Sequence, residues 1–189
     1  MKVTMEKPVI FRYIYRQETG DSNYGSCIWA IFDIDPGRGM LNIQSDCGNY
    51  AYRWPERGTM FLNLLAGMDE DYLLRKLCGK PGEFDEEGTI ARIEEYMNDM
   101  EMDVLDIEEA IRALKDTFSN YTLDDAPDIA EFLVDEWNND CNLEIDCAWE
   151  LVQTKYGAHE KRIVKIFTEH IAPKIRQAME DGFYHEEEN

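Results

Sequence analysis

Residues 27–54, CIWAIFDIDPGRGMLNIQSDCGNYAYRW, contain three extended segments separated by turn-forming residues. The first segment, Cys27–Ile34, is an almost continuous apolar run, whereas Met40–Gln44 and Asn49–Trp54 alternate between apolar and polar side chains. A Pro-Gly pair and a Gly-Asn pair stand between the segments. Short extended segments joined by such turns are typical of neighbouring antiparallel strands. The stretch therefore predicts three strands of an antiparallel meander.

The segments on either side extend this pattern. Upstream, Val9–Tyr15 is aromatic and β-branched, which predicts a further strand and makes about four in all. Downstream, the apolar residues of Met60–Cys78 recur every three or four positions, which favours one or two short helices. Residues 1–80 are therefore expected to form a β-rich half with short helices.

Charge is distributed very unevenly along the 189 residues, whose 40 acidic and 19 basic side chains give a net charge of −21. Residues 1–80 carry ten of each sign and are neutral, whereas residues 81–157 carry twenty-three acidic and four basic side chains, a net of −19. The turn-rich stretch Gly79–Gly82 marks the boundary. We therefore expect a charge-neutral half, residues 1–80, and an acidic helical half, residues 81–189, within one compact unit.

The acidic half contains the most regular apolar pattern of the chain. Nine apolar residues recur at alternating spacings of three and four: Ile90, Ile93, Met97, Met100, Val104, Ile107, Ile111, Leu114 and Phe118. They predict either one helix over residues 86–118, roughly 50 Å long, or two helices, the second starting at a capping box of Asp106 and Glu109. This apolar stripe can pack on its own neighbours, form a homodimeric coiled coil or bind a partner.

Helical patterns continue towards the carboxyl terminus. Ala126–Asn138 and Ala158–Asp181 predict two more helices, the second interrupted at Pro173. The acidic tail Tyr184–Asn189 is expected to fray. The predicted fold class is α+β, an N-terminal antiparallel β-meander of about four strands followed by an acidic α-helical region.

Motifs for catalysis and metal binding are absent from the sequence. There is no Walker A, G-x-G-x-x-G or G-x-S-x-G motif. His159 and Glu160 begin like a zincin motif, but Ile163 stands where the second histidine is needed, and all three histidines are expected in structural or surface roles. Residues 140–146 resemble a calcium loop without its glycine and glutamate, and their alternation equally fits a short half-buried strand. We expect no catalytic residue, no metal and no cofactor.

The composition also bears on the cellular setting. The five cysteines form no C-x-x-C pair, the first eight residues hold no apolar secretion segment, and no apolar run is long enough to cross a membrane. Cationic clusters that would bind phosphates or anionic lipids are also absent. We expect a cytoplasmic protein that contacts neither nucleic acid nor membrane directly.

The segment Ser45–Trp54 is the most distinctive of the chain. Tyr50, Tyr52 and Trp54 share one strand face, and with Arg53 they could stack on nucleic-acid bases. The alternative is that the following helices cover this face of the sheet.

The segment Ser45–Trp54, together with Cys27–Asp33 and Asp71–Leu77, resembles small proteins of unknown role that are encoded in phages and prophages. The resemblance covers residues 8–95. A compact, highly acidic phage protein without a catalytic motif resembles, as a class, the anti-CRISPR proteins, several of which present acidic surfaces where DNA would bind. The resemblance thus implies an inhibitor of a CRISPR nuclease.

Carboxylates on the side of the predicted helix away from the apolar stripe are the candidate partner-binding residues: Glu94, Glu95, Asp99, Glu101, Asp106, Glu108 and Glu109. Duplex DNA carries about one charge per 1.7 Å. Residues 86–118, with a net charge of −8, reach about one per 6 Å of helix, whereas residues 81–157 over a similar length reach about one per 2.6 Å. This density favours a DNA-mimicking inhibitor that binds the basic groove of a host protein, an RNA-guided nuclease above all.

Two other functions fit the sequence. The apolar stripe could make the protein a homodimeric adaptor or scaffold. A metal-dependent enzyme that uses Asp46, or the pair Asp33 and Asp35, is the less favoured alternative.

Overall fold

The computed structural model describes residues 1, 3–5, 8–21 and 24–184. Contacts between Cα atoms divide the chain into two compact units, residues 1–80 with 158–189 and residues 81–157. We call the described residues of the first group the sheet unit and residues 81–157 the acidic unit. The acidic unit coincides with the block of net charge −19. Residues 158–184, which the charge pattern groups with the acidic helices, belong to the sheet unit.

The strands are β1 Phe11–Arg16, β2 Trp29–Asp35, β3 Met40–Ser45, β4 Gly48–Arg53, β5 Glu83–Phe84 and β6 Thr154–Lys155. The helices are α1 Gly58–Gly67, α2 Glu70–Leu77, α3 Glu86–Asp99, α4 Val104–Ser119, α5 Pro127–Asp140, α6 Ala158–Ile166 and α7 Ala172–Glu180. A 3-10 helix, Ala148–Leu151, precedes β6, and a π-helical segment, Phe167–Ile171, joins α6 to α7. The fold is α+β, as predicted.

In the sheet unit, β1 to β4 form an antiparallel sheet in the order of the chain, which confirms the predicted meander. Tyr13, Phe32, Ile43 and Tyr50 lie opposite one another across the four strands. β2 begins at Trp29, two residues later than predicted, because Cys27 has a left-handed φ of 61° that an extended strand cannot include.

The helices of the sheet unit cover one face of the sheet. Phe32, which is fully buried, packs against Phe167 with ring centroids 5.9 Å apart. Trp54 packs against Phe61 of α1 at 5.6 Å. The strand residues that point towards the helices are therefore the core of this unit.

Pro173 produces the predicted interruption of the last helix. Its nitrogen carries no proton to donate to a carbonyl of the preceding turn, and its ring crowds that turn. The chain adapts by widening into the π-helical segment Phe167–Ile171 immediately before the proline, and α7 then continues in α-helical geometry.

The core of the acidic unit is formed by its three α-helices and the 3-10 helix. Its most deeply buried members include Ile93, Met97, Leu114, Phe118, Ala130, Val134, Trp137 and Ala148. The apolar spacing of α3, α4 and α5 places these side chains on one face of each helix. The unit therefore has a core of its own, separate from that of the sheet unit.

A short antiparallel ribbon closes the acidic unit. Glu83 pairs with Lys155 and Phe84 with Thr154. The backbone N–H of Gln153 also donates a hydrogen bond to Thr89 Oγ1, with the two atoms 2.8 Å apart. The ribbon was not predicted from the sequence, because two-residue strands carry no measurable alternation. It holds the first and last residues of the acidic unit next to each other.

The half-buried strand, one of the two interpretations of residues 140–146, is wrong. Asn142 and Glu144 have left-handed φ angles of 51° and 56°, so the segment turns instead of extending. The side chain of Asn138 donates to the Ile145 carbonyl and accepts from the Ile145 N–H, at 3.0 and 3.1 Å. These two bonds replace the pairing that a neighbouring strand would supply.

None of the helices among the described residues has the length and apolar character needed to cross a membrane. The acidic tail after Tyr184, which is expected to fray, lies outside the described residues.

Candidate functional site

The predicted partner-binding carboxylates lie on two helices and the turn between them. Three belong to α3, one to the turn and three to α4, in the order Glu94, Glu95 and Asp99, then Glu101, then Asp106, Glu108 and Glu109. Glu94 is half-buried and the other six are exposed. Solvent therefore reaches nearly all of them, but they do not form one side of a single helix.

The single continuous helix over residues 86–118 is wrong, and the two-helix alternative is correct. α3 ends at Asp99, Glu101 adopts a left-handed φ of 57°, and α4 begins at Val104. The cap of α4 is Asp103, whose Oδ1 accepts a hydrogen bond from the Leu105 N–H at 2.9 Å, and not the predicted Asp106. Asp103 is in extended conformation, as an N-cap residue must be, whereas Asp106 already lies inside the helix.

The apolar stripe is interrupted at this turn. Met100 and Val104 are 47% and 64% exposed, whereas the stripe residues on both sides are buried in the core of the acidic unit. The turn changes the helix direction, so the regular spacing no longer describes one face. Because the buried residues already pack against α5 and the 3-10 helix, the interpretation that the stripe packs on its own neighbours is correct.

The acidic unit has far more carboxylates than cations. Arg92 forms an ion pair with Glu95 at 2.6 Å, and Lys155 with Asp85 at 3.4 Å. With twenty-three acidic and four basic side chains, at least nineteen carboxylates have no cation within the unit to neutralise them. The surface around α3 and α4 therefore carries a strong negative potential at neutral pH.

Part of the exposed surface of this unit was not predicted from the sequence. Ile129 and Phe132 on α5 are 47% and 59% exposed, and Trp149 of the 3-10 helix is 43% exposed. The backbone N–H of Trp149 donates to Asp135 Oδ1, 3.3 Å away, which holds the 3-10 helix against α5. Large apolar side chains of the acidic unit are thus exposed to solvent. For Ile129 and Phe132, the sequence signal was their position outside the buried face of α5.

The aromatic face of β4 is covered, as the second interpretation of Ser45–Trp54 predicts. Trp54 is 2% exposed, and its ring meets that of Tyr52 edge to face at 4.6 Å. The ammonium group of Lys76 on α2 lies over the Tyr52 ring, 5.2 Å from its centroid. Tyr50 is half-buried, and its hydroxyl donates to the Cys47 carbonyl at 2.8 Å. These rings pack within the sheet unit and are not arranged to stack on bases.

The carboxylates considered for a metal-dependent enzyme have different surroundings. Asp33 makes two hydrogen bonds of 2.7 Å with the guanidinium of Arg12, and Asp35 is buried beside Arg38. Asp46 accepts hydrogen bonds from the backbone N–H groups at the start of β2. Burial raises its pKa, but these bonds outweigh burial and hold the pKa below its ordinary value. Each of the three aspartates is thus already bound by an arginine or by backbone N–H groups.

The two described histidines, His159 and His170, belong to no group of potential metal ligands among the described residues. His159 is exposed, and the ring of His170 stacks on Tyr15 with centroids 5.5 Å apart. His185 lies outside the described residues. Among the described residues, one group of three potential ligands does come together, namely Cys27, Asp46 and Cys47.

A family of phage proteins matches most of the chain. The sequence matches the phage family Phage_phiTE_072 over residues 9–177, which includes both the sheet unit and the acidic unit. No curated protein and no solved structure matches the chain. The resemblance to phage proteins is therefore confirmed and extends well beyond residues 8–95. The chain belongs to the phage family Phage_phiTE_072.

Proposed function

We propose that this phage protein is an inhibitor, without catalytic activity of its own, that binds the basic nucleic-acid-binding groove of a host protein in the host cytoplasm. The observation that carries the proposal is the coincidence of the −19 charge block with one compact unit. A folded unit can present its charge in a fixed arrangement, which a disordered acidic tail cannot.

The charge density of this unit is close to that of nucleic acid. A compact unit of 77 residues is roughly 30 Å across. A net charge of −19 over that length is about one charge per 1.6 Å, against about 1.7 Å for duplex DNA. This estimate replaces the lower densities calculated for a long straight helix, because the chain is folded back on itself between α3 and α4.

The uncompensated charge also favours a partner. Exposed like charges about 6 Å apart repel by roughly 0.7 kcal/mol in water before salt screening. Such repulsion lowers the stability of the unit, and a cationic partner would relieve it. The exposed carboxylates of α4 and of the preceding turn, Glu101, Asp106, Glu108 and Glu109, are the residues that we expect to contact the partner.

An RNA-guided nuclease is the preferred target. Such an enzyme holds its guide–target duplex in a positively charged channel by contacts to the backbone. The carboxylates of the acidic unit could bind the cationic side chains of that channel, and on this proposal the protein is an anti-CRISPR inhibitor. No direct binding of nucleic acid is expected, because like charges repel.

The test uses the purified full chain and a purified RNA-guided nuclease loaded with its guide. The chain should bind the nuclease and slow target cleavage, and binding should weaken as salt is raised because charge steering is screened. The triple variant Glu101→Lys, Glu108→Lys, Glu109→Lys should lose at least about tenfold in affinity at low salt.

A matched control separates this surface from net charge alone. The variant Glu18→Lys, Asp71→Lys, Glu180→Lys changes the charge by the same amount through exposed residues of the sheet unit. It should bind almost as the unaltered chain does. If the first variant binds with undiminished affinity, the acidic surface is only a solvated face. If both variants weaken binding equally, the effect is one of net charge and the proposed surface is wrong.

A further inference from the structure

Cys27, Asp46 and Cys47 meet at one end of the sheet. The Sγ atoms of the two cysteines and one carboxylate oxygen of Asp46 all lie within 4.8 Å of one another. The two thiols are almost completely buried, whereas Asp46 is exposed to solvent. The cluster lies in the sheet unit, so any role that it has is independent of the function proposed for the acidic unit.

The backbone fixes this cluster. Asp46 and Cys47 form the tight turn between β3 and β4, which is closed by Gly48 with a φ of 116°. Cys27 precedes β2 in a left-handed conformation that is uncommon for a residue with a side chain. The Asp46 carboxylate accepts hydrogen bonds from the two N–H groups that follow Cys27, at 2.9 and 3.3 Å. Two cysteines twenty residues apart in sequence are thereby held together without a C-x-x-C motif.

We propose that Cys27, Asp46 and Cys47 form a binding site for a single zinc ion, with water in the fourth position. Tetrahedral zinc has Zn–S bonds of about 2.3 Å and Zn–O bonds of about 2.0 Å, so its ligand atoms lie roughly 3.5–3.8 Å apart. The three ligand atoms lie within 4.8 Å of one another, and a closure of about 1.3 Å or less is within reach of side-chain torsions. The exposed side of Asp46 leaves room for the water.

The donor set selects the kind of metal. Two sulfur ligands favour zinc over magnesium and calcium, which bind oxygen ligands. The sequence analysis predicted no metal because no motif has the spacing of metal ligands along the chain. The cluster is formed instead by strand pairing, which brings distant residues together.

Binding must displace protons. Zinc binds the thiolate form of cysteine, so each thiol gives up one proton to solvent as its sulfur bonds to the metal. Zinc affinity should accordingly increase with pH.

The experiment titrates zinc into the reduced, metal-free full chain in competition with a chromophoric chelator, and repeats the titration with cobalt as a spectroscopic probe. One zinc per chain should bind, and cobalt should produce a thiolate charge-transfer band. Cys27→Ser and Cys47→Ser should each lower zinc affinity at least about tenfold and weaken the band. Asp46→Asn should lower affinity and keep the band, because both thiolates remain. Cys78→Ser, which removes a half-buried thiol of the same unit outside the cluster, should change neither.

A second measurement needs no variant and so does not depend on whether the variants fold. Zinc should protect Cys27 and Cys47 of the unaltered chain from slow alkylation, located by peptide mass spectrometry, and leave the exposed Cys147 reactive. Absence of zinc binding by the unaltered chain overturns the proposal. So does binding that survives both serine substitutions, or protection that falls only on Cys147.

Discussion

The indole Nε1 of Trp137 donates a hydrogen bond to the backbone carbonyl of Ala110, with the two atoms 2.8 Å apart and both residues buried. This bond joins α5 to α4 inside the acidic unit. A buried indole N–H needs such a partner, because the group would otherwise lose its bond to water without replacement. Trp137 therefore fixes the relative position of the two helices, in addition to filling the core.

We predict that Trp137→Phe destabilises the acidic unit by about 1–3 kcal/mol, since the hydrogen bond is lost and the smaller ring leaves space. Amide hydrogen exchange should show faster exchange in α4 and α5, with the sheet unit unchanged. Phe132→Ala, which truncates an exposed ring on the same helix, should have a much smaller effect. Equal effects of the two substitutions would contradict the role given to Trp137.

The two candidate caps of α4 can be distinguished by mutation. Asp103→Ala should lower the free energy of unfolding of the acidic unit by about 0.5–2 kcal/mol, because the Leu105 N–H loses its acceptor. Asp106→Ala should have a smaller effect, and the two variants have the same charge. Chemical denaturation of the two variants side by side provides the measurement, and a larger loss for Asp106→Ala would restore the capping box at Asp106.

Glu101 occupies a backbone conformation that glycine adopts more easily. With its φ at 57°, Glu101→Gly should stabilise the acidic unit by roughly 0.5–1 kcal/mol, since strain and like-charge repulsion both fall. Glu108→Gly, with the same change in charge inside α4, should destabilise it by a similar amount. Melting temperatures of the two variants should therefore move in opposite directions. If both melting temperatures moved in the same direction, the change in charge alone would explain the effect on stability.

Without bound metal and with its thiols reduced, the sheet unit should lose stability in alkaline solution. Burial is the main reason that the pKa values of Cys27 and Tyr50 are raised to about 12 and that of Cys78 to about 11. The unfolded chain releases these protons at lower pH, near 9 for the thiols and 10 for the tyrosine. The stabilisation is therefore complete below about pH 9 and is lost as pH rises towards 12.

Urea unfolding of the sheet unit between pH 7 and 11 provides the check on this alkaline loss. Cys78→Ala should make the dependence on pH shallower, because one of the three groups no longer titrates. Stability that stays constant across this range would show that the three groups are not protected from ionisation in the folded state.

Sequence patterns predicted the elements of the fold that depend on local order. The alternation of Met40–Gln44 and the turn residues around it specify a hairpin, and the three-to-four spacing of α3, α4 and α5 specifies their buried faces. The elements that were missed depend on contacts between distant residues or on single backbone angles. The pairing of Glu83 with Lys155 has no periodic signal in the sequence, and the left-handed turn at Glu101 has no glycine.

The acidic surface and the cysteine cluster also differ in how far the sequence predicts them. The acidic surface could be located from the sequence because an excess of nineteen charges within residues 81–157 is a property of composition. The geometry of this surface could not be predicted from the sequence, since the turn after Asp99 distributes the carboxylates over two helices. The cluster of Cys27, Asp46 and Cys47 could not be found by spacing at all, because it depends on how the turn after β3 packs against the start of β2.

The insertion of the acidic unit between α2 and α6 sets the order in which the chain can fold during synthesis. A ribosome completes residues 81–157 before it makes Phe167, the residue that packs against Phe32 on the sheet. At about 5–20 residues per second, the roughly 100 residues that follow α2 take about 5–20 s to translate. The acidic unit, whose ends are paired through β5 and β6, can fold in that time. The apolar face of the sheet stays partly uncovered until its last helices have been synthesised. A nascent chain paused in this interval should therefore be the form most prone to aggregate and most in need of a chaperone.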